Sequence, residues 1–283
     1  MVGELDLEVS DADFQRVRDV VHAHCGIALD DRKKELVRAR IARQIRSGSF
    51  KSAAEYLKHA LSDPSNDAFT QFIDSISTNL TSFFRERQHF DYLTTALLPH
   101  LCAVKNKNGD SRLRVWSAAC STGEEPYSLA MTLLDAVKGP CARDMRILAT
   151  DISTRVLEIA GTGSYRESQL SSLPAGYLQR FFTRNAATSQ QEAPAYTVSP
   201  QIRGMVSFRH LNLMEAWPFT GPFDFIFCRN VMIYFDKPTQ ERLVDRYWNC
   251  LRPGGILFTG HSESLIAINH RFINRKPSIY EKP

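Results

Sequence analysis

After Asp110 the chain changes rhythm. LRVWSAA (113–119), RILAT (146–150), MVSFRHL (205–211), DFIFC (224–228) and GILFTG (255–260) are short β-rich runs separated by helical segments. Runs of this length, rich in branched and aromatic residues and bounded by polar or glycine breaks, read as strands. Residues 126–137, between the first two runs, and 238–251, between the last two, carry helical spacing. Strands that alternate with helices imply a largely parallel sheet with right-handed crossovers. The closing FINRKPSIYEK (272–282) is two short runs split by Lys276 and Pro277, which predicts a hairpin.

One interval is too long for a single crossover. Between Asp151 and Met205 there is room for a helix at 153–160, a second around 175–182, and a short strand at 195–198 within the polar stretch NAATSQQEAPAYTVSPQIRG. This predicts a small subdomain inserted after the second strand, at about 165–205. Insertions at the carboxyl edge of such sheets commonly contact partners or substrates.

The first hundred residues read as helices. Ser10 followed by Asp13 resembles a capping box, Phe14, Val17 and Val21 recur at helical spacing, and Gly26 is a stop. Val37, Ile41 and Ile45 form the apolar stripe of a second helix. A third opens at 52–55 and ends at Asp63-Pro64. Phe69, Phe72, Ile73 and Ile76 mark a fourth, and a longer helix runs around Phe90 to Leu101. The expected organisation is a helical domain at 1–78, a linking segment at 79–109, and an α/β domain at 110–283. With 43% hydrophobic and 23% charged residues the chain has ample core for this. No apolar run approaches a membrane span, and the acidic start MVGELDLEVSD is unlike a signal peptide, so the expected location is the cytoplasm.

Six cysteines lie far apart without a C-x-x-C pair, as reduced thiols do. His22, His24 and Cys25 are the nearest approach to a metal cluster, and no second cluster completes it, so no metal is expected. Net charge is only +4, but DDRKKELVRARIARQIRSG (30–48) holds seven basic residues against three acidic ones. A local excess of this kind fits an acidic partner, although a solvated helix face accounts for it equally well.

VWSAACSTGEEPYS (115–128) is a strand-to-helix turn, the usual place to hold a phosphate. It has neither the P-loop lysine nor a G-x-G-x-x-G, and Glu124 and Glu125 would repel an anion. A cation suits it better. S-adenosylmethionine carries a sulfonium and an ammonium without a phosphate, and a glutamate at the turn can accept the ammonium. Asp151, at the end of the second strand, stands where an acid binds ribose hydroxyls.

These motifs, together with TNLTSFFRE (78–86), ATDIS (149–153), LNLME (211–215), FCRNVMIYF (227–235) and GHSES (260–264), occur in an order that resembles the bacterial chemotaxis receptor methyltransferases, the CheR family. The resemblance covers essentially the whole chain. It implies an all-α N-terminal domain that docks receptors, then a Rossmann-like methyltransferase sheet with an inserted β-subdomain. The implied activity is transfer of a methyl group from S-adenosylmethionine to glutamate side chains on cytoplasmic receptor helices, leaving S-adenosylhomocysteine and tuning sensory adaptation at receptor arrays on the inner face of the membrane. It assigns Asn79, Thr81 and Arg85 to the cofactor from the linking segment, Glu125 to the methionine portion and Asp151 to the ribose. Asn212 and Leu213 would flank the adenine, and Arg229 and Asn230 would lie beside the cofactor. Arg85 and Tyr234 would border the transfer site, Arg85 orienting the acceptor and Tyr234 shaping the pocket. Receptor regions rich in glutamate would meet Arg40, Arg43 and Arg46. The turn lacks the G-x-G-x-G of many other methyltransferases.

Without the resemblance, Tyr234 reads as a core aromatic, Arg85 as a surface residue and Asn230 as a turn former; His261 is given no catalytic role. A nucleic-acid methyltransferase lacks support because neither an N/D-P-P-Y motif nor a basic platform with interleaved aromatics occurs. GHSES ends in Ser264 where a nucleophile elbow needs glycine. A silent cofactor-sensing module is a third alternative, set against the full complement of pocket residues. The inserted subdomain of this family can bind a receptor C-terminal pentapeptide, and the length of 183–204 argues against dependence on it. A monomer is expected.

Overall fold

The computed structural model describes residues 7–47, 50–63, 67–77, 79–185 and 195–283. The helical part holds α1 (Asp11–Cys25), α2 (Lys34–Ser47), α3 (Ala53–Ala60) and α4 (Asp67–Ile76). Ser10 and Asp13 cap α1 reciprocally, and Gly26 ends it in the left-handed conformation. The stripes read from the sequence are buried together: Phe14, Val17 and Val21 meet Val37, Ile41 and Ile45, with Tyr56, Leu57, Phe69 and Phe72 filling the centre. Pro64, the expected stop after α3, and Thr78 lie outside the described residues.

A long helical stretch follows as α5 (Arg87–Tyr92), a π-helical turn at Leu93–Leu97, and α6 (Leu98–Lys107). The α/β part then runs through β1 (Arg112–Ala118), α7 (Glu124–Ala136), β2 (Asp144–Asp151), α8 (Thr154–Thr162), β3 (Ser164–Arg166), α9 (Tyr177–Phe181), β4 (Phe182–Arg184), β5 (Ala195–Val198), α10 (Pro200–Arg203), β6 (Val206–His210), β7 (Phe223–Cys228), α11 (Lys237–Cys250), β8 (Leu251–Thr259), β9 (Ile273–Lys276) and β10 (Ile279–Glu281). The main sheet has the order β6-β2-β1-β7-β8-β10-β9. Its first five strands pair in parallel, while β10 is antiparallel to both β8 and β9, which makes the expected hairpin.

All five expected strands are present. Several boundaries differ from the sequence reading, two of them with a clear physical cause. The second helix of the insertion is only Tyr177–Phe181, because Gly176 in a left-handed conformation starts it late. Leu251, expected to end a helix, instead opens β8 and pairs with Phe223. The insertion itself is a three-stranded sheet, β3-β5-β4, of which only β5 was legible; β3 and β4 are three residues each, too short for an alternating pattern to register. Residues 186–194, which set the length of the loop bearing on pentapeptide dependence, lie outside the described residues.

The core lies on both faces of the sheet. One face packs Val115, Phe225, Phe227 and Phe258 against α6, α7 and the insertion. The other packs Trp116, Ile226 and Leu257 against Leu243, Val244 and Tyr247 of α11. Strands β1 and β7, buried on both sides, therefore read as continuous apolar runs.

Candidate active site

The strand order reverses between β1 and β7, and the helical part closes over the carboxyl ends of the strands at that point. The Ala28 N–H donates to the Tyr234 carbonyl at 2.7 Å, Ile27 bridges Phe235, and Asn212 Nδ2 donates to the His24 carbonyl at 2.6 Å. His22, considered above with Cys25 as a metal ligand, instead pairs with Asp236 at 2.8 Å. The space enclosed is a cleft walled by both parts, with Cys25 and Leu29 from one and Asp151 and Arg229 from the other.

Each residue assigned to the cofactor or the transfer site lines this one cleft. Asn79, Thr81 and Arg85 come from the linking segment, Glu125 from α7 and Asp151 from the end of β2. Asn212 and Leu213 follow β6, and Arg229, Asn230 and Tyr234 follow β7. Four adjacent strand ends and one linker thus converge at the switch point, where open α/β sheets bind ligands.

The turn after β1 explains how the chain does without G-x-G-x-G. Ala119, Ser121 and Gly123 have φ of +63°, +50° and +97°. The backbone passes through left-handed conformations at each alternate position, as glycines would allow, and Ala119 and Ser121 each bear a strain of about 1 kcal/mol. Ser121 has compensating bonds: its N–H donates to Asp151 Oδ2 at 2.9 Å and its hydroxyl to the Asn79 carbonyl at 2.9 Å. Only Gly123 is sterically compelled, since a Cβ there would stand 2.8 Å from the Tyr165 hydroxyl. Among the described residues, five of the six non-glycine positions with positive φ belong to this region (Phe84, Glu86, Ala119, Ser121 and Asn230), and strain of this kind concentrates at functional sites.

The two glutamates of the turn part company. Glu125 faces the cleft, accepting from Ser117 Oγ at 2.7 Å and from Arg229 Nη1 at 2.9 Å. Glu124, expected to face the ligand as well, turns the other way. Its carboxylate accepts from Thr122 Oγ1 at 2.7 Å and reaches Gln169 of the insertion. Successive helical positions lie about 100° apart, so one turn of α7 cannot aim both carboxylates into the same space. Asn212 lines the cleft and in addition spans His24 and Glu215 with its side chain, clamping the helical part to the sheet.

Burial raises the pKa of Glu125, opposed by Arg229, and that of Asp151, opposed by the N–H groups of Ser153 and Ser121. Carboxylates held this way gain from a cationic ligand, which restores the counter-charge that water no longer supplies. Arg229 is 2% exposed at its side chain and is bound by Glu125, by Glu86 at 3.0 Å and by the Arg85 carbonyl at 2.6 Å. Arg85 donates from Nη1 to the Leu80 carbonyl at 2.8 Å. Tyr234 is half-buried, with the Lys33 ammonium 5.0 Å from its ring centroid.

Sequence reasoning missed Lys33 and Leu36 of the helical part, both in the cleft wall, because the basic stretch carries no mark of which residues turn inward. It also missed Glu263 of GHSES, whose carboxylate accepts from the N–H groups of Asn230 (2.7 Å), Gly260 (2.6 Å) and Ile233 (3.2 Å) and so fixes the loop after β7.

His89 lies beneath this network, 1% exposed, with its ring 5.5 Å from that of Phe258 and neither nitrogen hydrogen-bonded. Burial, aided by the nearby Arg229, pushes its pKa down from 6.5 to about 3. The unfolded chain therefore takes up this proton first, so stability present above about pH 6.5 is lost as pH falls toward 3. The expected loss between pH 7 and pH 5 is about 2 kcal/mol. His89→Phe should remove it, as urea unfolding at the two pH values would reveal; identical slopes for both proteins would refute the assignment.

Comparison with known proteins agrees with this geometry. Residues 79–280 match the family profile described as "CheR methyltransferase, SAM binding domain", and residues 12–77 match "CheR methyltransferase, all-alpha domain". The "Chemotaxis protein methyltransferase" of Klebsiella aerogenes is 42% identical, covering 97% of this chain and 90% of its own. The "Chemotaxis protein methyltransferase 2" of Pseudomonas aeruginosa is 42% identical, covering 95% and 92%. The Escherichia coli "Chemotaxis protein methyltransferase" is 40% identical, covering 97% and 92%.

Proposed function

Since the chain belongs to the CheR methyltransferase family, we propose that it methylates the side-chain carboxylates of specific glutamates on cytoplasmic helices of chemoreceptors. The carrying observation is a single cleft with buried carboxylates on its inner wall and Arg85 and Tyr234 also lining it. S-adenosylmethionine, when bound, supplies an electrophilic methyl group on a cationic sulfur. Glu125 and Asp151 are the groups that would hold it, one by the ammonium and one by the ribose hydroxyls.

The acceptor makes modest demands. A glutamate of ordinary pKa, about 4.3, is already ionised at neutral pH, so the chain supplies no general base. Its work is to align the acceptor and exclude water. One arginine with an aromatic wall suits this, because stronger stabilisation of the carboxylate would lower its nucleophilicity as charge is neutralised.

Helix α2 begins beside the cleft, with Lys33, Leu36 and Val37 in its wall. Arg40, Arg43 and Arg46 occupy its later turns, Arg40 half-buried and the other two exposed. An acidic receptor helix laid along α2 would thus bring its glutamates toward the cleft. Charge reversal at Arg43 and Arg46 should raise the KM for receptor about tenfold while leaving cofactor affinity intact. A fall in cofactor affinity would instead assign these arginines to folding.

The deciding experiment is transfer of labelled methyl from S-adenosylmethionine to receptor-containing membranes, scored as base-labile methanol. Base-stable label, or label on RNA with strong salt dependence, would overturn the glutamate reading.

A further inference from the structure

Glu86 touches none of the space the cofactor would fill, yet four donor groups converge on its carboxylate. Oε2 accepts from Arg229 Nε at 3.3 Å, with Nη2 at 3.0 Å. Oε1 accepts from Asn230 Nδ2 at 3.3 Å and from the His261 N–H at 3.3 Å. The residue adopts φ +57° to do so, directly after Arg85. It therefore ties the linking segment to the loop after β7 and to the loop after β8. Arg229 does line the cleft, gripped by Glu86 on one side and Glu125 on the other.

The charges decide what this arrangement does. One guanidinium between two carboxylates leaves the trio with a single net negative charge. Were Glu86 neutral, Arg229 and Glu125 would cancel, and the wall would offer a cation nothing beyond Asp151. A positioning carboxylate of this kind acts through the arginine it holds.

We infer that Glu86 sets the electrostatic preference of the cleft: by compensating Arg229 it keeps the trio net negative after Glu125 has met the ammonium common to both ligands, so that the wall also favours the sulfonium and governs how S-adenosylmethionine ranks against the neutral thioether S-adenosylhomocysteine. The inference rests on the cofactor reading above. The two ligands share the adenosine, the ammonium and the carboxylate and differ by the methyl group and its positive charge, so the ratio of their affinities isolates the sulfonium.

Calorimetric titration of the full chain with each ligand tests it. Glu86→Gln should weaken S-adenosylmethionine about tenfold more than S-adenosylhomocysteine, the effect expected of one unit charge across several ångströms of protein. Glu86→Asp keeps the charge and should leave the ratio within about twofold of the starting protein, even where both affinities fall. Equal losses for both ligands in Glu86→Gln would confine Glu86 to the part of the ligands that both share and overturn the inference, as would a ratio that moves in Glu86→Asp. Should Glu86→Gln fail to fold by circular dichroism, Glu86→Ser removes the same charge and leaves room for water to accept from Arg229 and Asn230, with the same expected shift. A starting protein that binds neither ligand would instead refute the cofactor reading, a distinct result.

Discussion

Arg229→Met is expected to destabilise the protein by about 3 to 5 kcal/mol, the usual cost of removing one partner from a buried ion-pair network. Methionine keeps much of the volume, so packing is a minor part of the loss. What remains is Glu86 and Glu125, with side chains 11% and 12% exposed, facing each other's charge without the guanidinium between them. Water reaches these carboxylates poorly, so each would relieve the strain by taking up a proton. Their folded pKa values would then lie above the unfolded ones. Stability gained that way is present at low pH and lost as pH rises through the raised values. The variant should therefore be nearer the starting protein at pH 5.5 than at pH 8. Urea unfolding at both pH values measures this, and a loss below about 1 kcal/mol at pH 8 would show that the trio is far better solvated than its geometry implies.

The second large effect concerns turnover. Arg85→Ala should lower kcat about a hundredfold with cofactor saturating, the loss typical of a misaligned reacting pair. Arg85 is fixed by the bond from Nη1 to the Leu80 carbonyl, the only hydrogen bond recorded for its guanidinium among the described residues. That anchoring leaves the remainder of the fork for the acceptor carboxylate. Lysine keeps the charge but not the fork, so Arg85→Lys should recover only part of the loss. Initial rates of label transfer, measured against receptor concentration, separate the two contributions. Near-normal turnover in Arg85→Ala would remove Arg85 from the transfer site.

Charge placement also explains why no single residue in this cleft acts alone. Arg85 passes its carbonyl to Arg229 while its side chain faces the cleft, and Asn230 is held by Glu263 through its N–H and by Glu86 through its side chain. Substitutions among residues that meet through side chains should couple, and double-mutant cycles would return interaction energies well above zero for Asn230 with Glu86.

Much of this was legible in the residues because it depends on local chemistry. Ser10 and Asp13 form the capping box that their spacing implies, since both partners lie within one turn. The β-rich runs marked the strands β1 and β7, and Asp151 ends β2 in the cleft wall. Glutamates at the β1 turn, with no P-loop lysine, argued for a cation over a phosphate, and Glu125 lies in the cleft wall there. The short strands β3 and β4 left no pattern because three residues are too few for a period.

By itself, then, the amino-acid sequence determined the order of the main-sheet strands, the helical stripes that pack, and the presence of carboxylates at the turn after β1. Those follow from interactions between residues a few positions apart, which periodicity and spacing express directly. Only the tertiary structure decided which of two adjacent glutamates faces the cleft, that Glu86 and Glu125 share Arg229 across more than a hundred positions of chain, and that Lys33 reaches Tyr234. A carboxylate at Glu86 looks the same in sequence whether solvated or clamped. Its state is set by burial and by donors from distant segments, and these exist only once the chain has closed over the sheet.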